Sequence, residues 1–144
     1  MQISLVPIEG LGIVWPRVRE MLRPATDRTN GRYSVDDIRP LIHSGQCLLW
    51  VALADTPKDK TIQDRVVAAL VTRITRYPGR TLLSSLFLGG DGMKEWGPVF
   101  YSTIEDWARK SGCDGMETMG RIGWRKLLIK RGWSPLSFLF EKDF

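Results

Sequence analysis

The stretch METMGRIGWRKLLIKRGW (residues 116–133) combines a short strand, a short helix and a glycine-aromatic exit. Residues 116–119 are too few for a helix and predict a strand. Trp124, Leu127 and Leu128 follow at the i, i+3, i+4 spacing of one apolar helix face. The stretch therefore predicts a strand followed directly by an amphipathic helix, and the other elements are assigned relative to this pair.

The opposite face of this helix is basic, and the helix ends at a stop signal. The basic residues are Arg121, Arg125, Lys126 and Lys130. Gly132 stands where a left-handed C-terminal cap is expected, because glycine adopts positive φ without steric cost. Trp133 then returns toward the core, and we predict a last strand that continues through residues 138–140.

Upstream, apolar runs bounded by turn residues predict an antiparallel meander. The predicted strands are residues 3–6, 47–53, 66–77 and 81–88. The charged turn DTPKDKTIQD (residues 55–64) separates the second strand from the third, and Pro78-Gly79 separates the third from the fourth.

Three further helices are predicted. The first is expected to end before Pro24. The second has Ser34 as its N-cap, with Asp37 three residues later as an aspartate variant of the capping box, and is expected to kink at Pro40. The third is the longest, and its apolar stripe consists of Trp96, Val99, Phe100, Thr103, Ile104, Trp107 and Ala108. The predicted order is therefore β, α, α, β, β, β, α, β, α, β.

The last helix resembles that of the GCN5-related N-acetyltransferases (GNATs), in which an Asn, an Ala and a Leu-Tyr pair precede Lys-x-Gly-Phe and a strand. The matching residues are Leu127, Lys130, Arg131, Gly132 and Trp133. Arg121 stands in place of the Asn. Leu128 stands in place of the Tyr, which in many family members protonates the departing thiolate of coenzyme A.

This family also uses the element order given above, so the resemblance covers nearly the whole chain in arrangement and the last third in motif. It implies an α+β class with a GNAT-like (acyl-CoA N-acyltransferase) fold, in which helices flank a central, mostly antiparallel mixed sheet. One such domain would occupy residues 1–144.

In the family, a glycine-rich loop between the fourth strand and the next helix holds the pyrophosphate of acetyl-CoA through backbone amides. The resemblance implies that Gly89, Gly90, Gly92 and Lys94 bind the cofactor here. The family's leading Gln or Arg is missing, and Asp91 would place a negative charge beside the phosphates. A tight turn with Asp91 as the helix N-cap accounts for the same residues.

Acetyl transfer also needs a base that takes a proton from the amine. Glu117, on the short fifth strand, is the only carboxylate in a suitable place, since residues 81–88 contain no acid. Ser84 or Ser85 could orient a water molecule. Glu117 has a second interpretation as a strand-end carboxylate paired with a neighbouring arginine.

The overall composition excludes several other functions. No apolar run approaches the roughly 20 residues that cross a bilayer, and the N-terminus is not typical of a signal peptide. With one histidine and two widely separated cysteines, the sequence predicts no metal site. The net charge of +5 is spread without a nucleic-acid-binding signature, so nucleic acid is not an expected partner.

Two functions remain open at this stage. One is an acetyl-CoA-dependent N-acetyltransferase with a divergent cofactor loop, acting on an unknown amine. The other is a non-catalytic virion or assembly protein that contacts other virion proteins, because GRYSVDDIRPLIHSGQCLLWVAL (residues 31–53) resembles degenerate members encoded by tailed bacteriophages. Both functions predict a cytoplasmic protein. If the protein is encoded by a phage, it would be found in the cytoplasm of the host cell or in the virion.

Overall fold

A computed structural model describes residues 1–55 and 60–144. Within these residues, five strands form one sheet in the order β1-β2-β3-β4-β5. The strands are β1 (Gln2–Leu5), β2 (Leu48–Leu53), β3 (Val66–Arg76), β4 (Thr81–Gly90) and β5 (Gly115–Thr118). Strands β1 to β4 pair antiparallel, and β5 joins β4 in parallel. The mixed, mostly antiparallel sheet and the predicted meander are confirmed.

Helices cover both faces of this sheet. They are α1 (Leu11–Asp27), α2 (Ile38–His43), α3 (Ile62–Arg65), α4 (Met93–Lys110) and α5 (Arg125–Lys130). One buried cluster lies between the sheet and α1 and α2. A second cluster lies under α4, whose aromatic stripe places Trp96 and Phe100 in the core. The α4 crossover is what makes β5 parallel to β4, since a parallel neighbour requires a long connection.

Several predicted boundaries need correction. The first helix continues through Pro24 to Asp27, because Thr26 is fully buried and its hydroxyl bonds to the Arg23 carbonyl (3.0 Å). The Ser34 cap is confirmed, since Asp37 accepts hydrogen bonds from the Ser34 amide and hydroxyl. A 3-10 turn follows it, so that Pro40 falls in the first turn of α2, where its missing N–H is tolerated.

The charged turn predicted at residues 55–64 is also revised. Residues 56–59 lie outside the described part of the chain. The remainder contains the short helix α3, whose first turn is capped by the Thr61 side chain accepting from the Asp64 amide (3.2 Å).

The predicted last strand is wrong. The left-handed exit at Gly132 is present (φ 90°), and Trp133 donates from its amide to the Leu128 carbonyl (2.9 Å). The segment after it forms no strand in the described structure: Phe138 is 77% and Phe140 89% exposed. Two features explain this. Pro135 has no amide to donate, and the neighbouring edge of β5 offers only four residues.

The terminal segment instead reaches the loop after α1. Glu141 forms an ion pair with Arg32 (2.5 Å) and accepts a hydrogen bond from the Asn30 side chain. Exposed ion pairs of this kind contribute little to stability. In the described residues, moreover, no helix combines the length and apolarity needed to cross a membrane.

Deleting residues 134–144 is therefore expected to lower the free energy of unfolding by less than about 1 kcal/mol, because the lost contacts are exposed. Urea denaturation followed by tryptophan fluorescence measures it. A loss above about 3 kcal/mol would show that this segment packs on the sheet as a sixth strand.

Candidate functional site

The strand β4 is paired on both sides at its start and on only one side at its end. Its register with β3 runs from Arg76↔Thr81 to Ala68↔Gly90. Its register with β5 ends at Ser85↔Thr118. Residues 86–90 therefore have no strand neighbour on the β5 side in the described structure. Their backbone groups on that side form an open edge of the sheet.

A β-bulge in the register with β3 lies at the point where the pairing of β4 with β5 ends. Val71 is opposite Phe87, and Thr72 is opposite Ser85, so Leu86 is the extra residue. A bulge bends its strand and increases the local twist. β5 ends at Thr118, so β4 continues past it for five more residues, and the bulge lies at the start of this unpaired stretch.

A cavity of about 420 Å³ lies against the end of this open edge. Its walls come from α1, the end of β4, the start of α4 and the segment before α5. The lining residues are Arg17, Glu20, Met21, Pro24, Arg28, Leu88, Gly89, Gly90, Asp91, Met93, Trp96, Arg121 and Trp124. Three arginines face two carboxylates there, so an anion is favoured.

The N-terminus of α4 adjoins this cavity. Gly92 is the N-cap in a left-handed conformation (φ 76°), and no side chain of the described residues caps the helix. The first amides of a helix lack partners within it and carry the positive end of the dipole. The alternative role of Asp91 as N-cap is wrong, because Gly92 holds that position and the Asp91 side chain does not cap the helix. Asp91 contacts the helix through its backbone carbonyl, which accepts a hydrogen bond from Trp96 Nε1 (2.7 Å).

The sequence-predicted cofactor residues are only partly brought together. Gly89 and Gly90 line the cavity, whereas Gly92 and Lys94 do not. Both lining glycines also have packing roles that the sequence did not reveal. A Cβ on Gly89 would lie 1.9 Å from the Met21 carbonyl oxygen, and one on Gly90 would lie 2.4 Å from that of Val67.

Glu117 belongs to a hydrogen-bonded cluster on β3, β4 and β5. The Tyr77 hydroxyl donates to its Oε1 (2.6 Å) and lies 3.0 Å from Oε2. The buried Ser84 hydroxyl donates to the same Oε1 (2.7 Å). Since the Ser84 proton is used, Thr75 is the donor in the 2.7 Å contact with Ser84. Glu117 makes no arginine ion pair within the described residues, so the predicted pairing is wrong.

The family's general-acid position carries no acid. Leu128 packs beside Gly120, whose added Cβ would lie 3.4 Å from the leucine Cδ1. The residues that sequence reasoning missed are Tyr77, Thr75, Arg17 and Arg28. Tyr77 and Thr75 are two residues apart, so their side chains point to the same face of the sheet. The contact of Tyr77 with Glu117, however, depends on the register between β4 and β5, and nothing in the sequence predicts that register.

Replacing Gly90 by alanine is expected to lower the free energy of unfolding by at least about 3 kcal/mol, because the new methyl meets Val67 and φ is +143°. The matched control is Gly123→Ala, which meets nothing within 4 Å and should change stability by less than about 0.5 kcal/mol. Urea denaturation compares them. Equal stability of the two variants would contradict the close packing of β3 on Gly90.

The hydrogen bond to Glu117 raises the pKa of Tyr77 above its ordinary value, and the nearby charge of Arg73 partly opposes this. The bond favours the protonated phenol, so its stabilisation is present below the ordinary pKa of about 10 and is lost as the pH rises through the raised value.

Ultraviolet titration of the phenolate, with Tyr77→Phe to assign the transition, should show a lower midpoint in Glu117→Gln, because a neutral amide disfavours ionisation less. An unchanged Tyr77 midpoint in Glu117→Gln would contradict the geometry of the cluster.

Comparisons with known proteins place the fold. No family model matches the chain, and a search of curated proteins returned no match. Among solved structures, a GCN5-related N-acetyltransferase from Ralstonia eutropha JMP134 is 16% identical, with a TM-score of 0.67 over 99% of this chain and 97% of its own. An acetyltransferase from Trypanosoma brucei has 13% identity and a TM-score of 0.64, covering 99% of both chains.

An aminoglycoside acetyltransferase from an uncultured soil metagenomic sample, solved with sisomicin, has 12% identity and a TM-score of 0.62. It covers 99% of this chain and 93% of its own. At these identities the likeness concerns the fold. The chain has the α+β fold of the GCN5-related N-acetyltransferases.

Proposed function

We propose that this protein is an N-acyltransferase that uses acetyl-CoA, held along the open edge of β4. The observation that carries the proposal is the continuity of three features: the unpaired edge at residues 86–90, the uncapped N-terminus of α4 and the arginine-lined cavity between them. An extended ligand with amides in its middle and phosphates at one end matches all three.

The phosphate end of the cofactor fits the cavity. Helix N-termini bind anions through backbone amides and the dipole. Arg17, Arg28 and Arg121 line the same space and supply positive charge. Asp91 lies at the rim, but its side chain is not committed to capping, so it can turn toward solvent. The residues present therefore fit a pyrophosphate.

The middle of the cofactor fits the edge of β4. Amide groups of a pantetheine arm can form strand-like hydrogen bonds with the free N–H and C=O groups of residues 86–90. Ser84 and Gly89 are opposite Arg73 and Ala69, four residues apart on β3, or about 13 Å. An arm extended along the edge from the cavity therefore ends beside the Glu117 cluster.

Bound acetyl-CoA would supply a thioester whose acyl group passes to the nitrogen of an amine. Glu117 would take the proton that the amine loses, with Ser84 and Tyr77 holding its carboxylate in place. Leu128 can donate no proton to the departing sulfur. A thiol pKa near that of cysteine, about 8.5, lets the sulfur leave as a thiolate and be protonated by water.

Calorimetric titration with acetyl-CoA tests the proposal, and micromolar binding is the expected result. Arg121→Gln should weaken binding about tenfold, because it removes a charge-assisted contact worth about 1.5 kcal/mol. The matched control is Lys110→Gln, in the last turn of α4 far from the cavity, which should bind as the parent protein does. No heat at millimolar acetyl-CoA would refute the proposal.

The non-catalytic virion role predicted as the alternative has no specific observation in its favour. The neighbours named above are acetyltransferases. The role therefore stays a prediction, and copurification with a particle would be its test.

A further inference from the structure

A charged row crosses the sheet beside the start of the open β4 edge (residues 86–90). Arg73 is opposite Ser84 on β4, and Ser84 is opposite Glu117 on β5. Neighbouring strands are about 4.8 Å apart, so the Cα atoms of Arg73 and Glu117 are about 10 Å apart. A positive and a negative side chain thus flank one hydroxyl on three adjacent strands.

This row lies on the face of the sheet opposite α4. Val71 contributes to the cluster under α1 and α2, and Arg73, two residues later, points to the same side. Leu83 packs under α4, so its neighbour Ser84 points away from α4. Arg73 is exposed and Glu117 only half-buried, so the helices leave this part of the face open to a ligand.

Aromatic rings lie on both sides of the row along the direction of the strands. Tyr77, 47% exposed, donates to Glu117 on one side. On the other side, three residues after Ser84 on β4, the Tyr33 ring packs edge-on against Phe87 with centroids 5.4 Å apart. Phe87 is on the same face as Ser84, next to the bulge where the sheet opens. The row is therefore a bounded site rather than a flat patch.

The charges of the row are held apart. Glu117 receives two hydroxyl protons on Oε1 and keeps acceptor capacity on Oε2. Arg73 forms no ion pair within the described residues. Arg73 is on β3, which lies between β2 and β4, so it stands across Ser84 from Glu117. A ligand with a single charge would satisfy only one end of the row.

We propose that this row is the acceptor site and that it takes a small dipolar amine, whose ammonium group binds Glu117 while its carboxylate or other anionic group binds Arg73. The inference rests on the proposed function for the transfer itself, but the binding of the amine does not require the cofactor. Amino acids with their two charges separated by a short chain are the matching class.

The test compares three ligands of equal chain length: 4-aminobutyrate, butylamine and butyrate. A second set uses 6-aminohexanoate, hexylamine and hexanoate, so that one length fits the separation of the charges. Binding is followed by NMR at the backbone amides of Arg73, Ser84 and Glu117, with and without saturating coenzyme A. The amino acid of at least one set should bind about tenfold more tightly than either matched ligand.

The variants assign each charge. Arg73→Gln should reduce the amino acid to the affinity of the alkylamine, and Glu117→Gln should reduce it to the affinity of the carboxylate. The control Arg76→Gln, on the same strand but the opposite face, should leave the preference unchanged. Far-ultraviolet circular dichroism checks that each variant is folded.

Two results would overturn the inference: equal affinities within both sets, or an amino acid preference that survives Arg73→Gln. Neither would refute the proposed function, which the acetyl-CoA titration decides by itself. Conversely, a preference for the amino acid without any binding of acetyl-CoA would support the dipolar site and refute the transferase.

Discussion

The open edge of β4 beyond the end of β5 is the feature on which the rest of the site depends. A strand inside a sheet normally bonds on both sides, and an unpaired edge exposes polar backbone groups. Here the pairing of β4 with β5 ends at Ser85, whereas its pairing with β3 continues to Gly90. The reason is that β5 itself ends at Thr118, whereas β4 continues to Gly90.

Close packing on its other neighbours fixes the end of β4. Gly89 lets the backbone of α1 approach β4 through Met21, and Gly90 lets β3 do so through Val67. Both glycines therefore maintain the packing of the cavity walls in the absence of a ligand. A bulky residue at either position would disrupt the fold, so loss of cofactor binding in such a variant would not identify the pyrophosphate site. Arg121 is a cleaner probe, because it is exposed and lines the cavity.

Features that depend on neighbouring residues could be predicted from the sequence, whereas features that depend on contacts between distant segments could not. The strands of the meander, the Ser34 cap and the α4 stripe depend on local pattern, and the sequence predicted them. The final strand failed because its formation depends on a long enough partner edge, which the four residues of β5 do not provide. Glu117 was found as the only acid in place, but its partner Tyr77 was not, because their contact arises from a parallel register between distant segments.

Amide hydrogen exchange of residues 86–90 and of the first turn of α4, with and without saturating acetyl-CoA, shows whether the cofactor binds along the open edge of β4. The account predicts that the amides of this segment not bonded to β3, and those of Met93 and Lys94, exchange at least about tenfold more slowly with the cofactor. The β3-bonded amides of the same segment serve as the internal control. Bound acetyl-CoA that left the exchange of the open-edge amides unchanged would contradict the account.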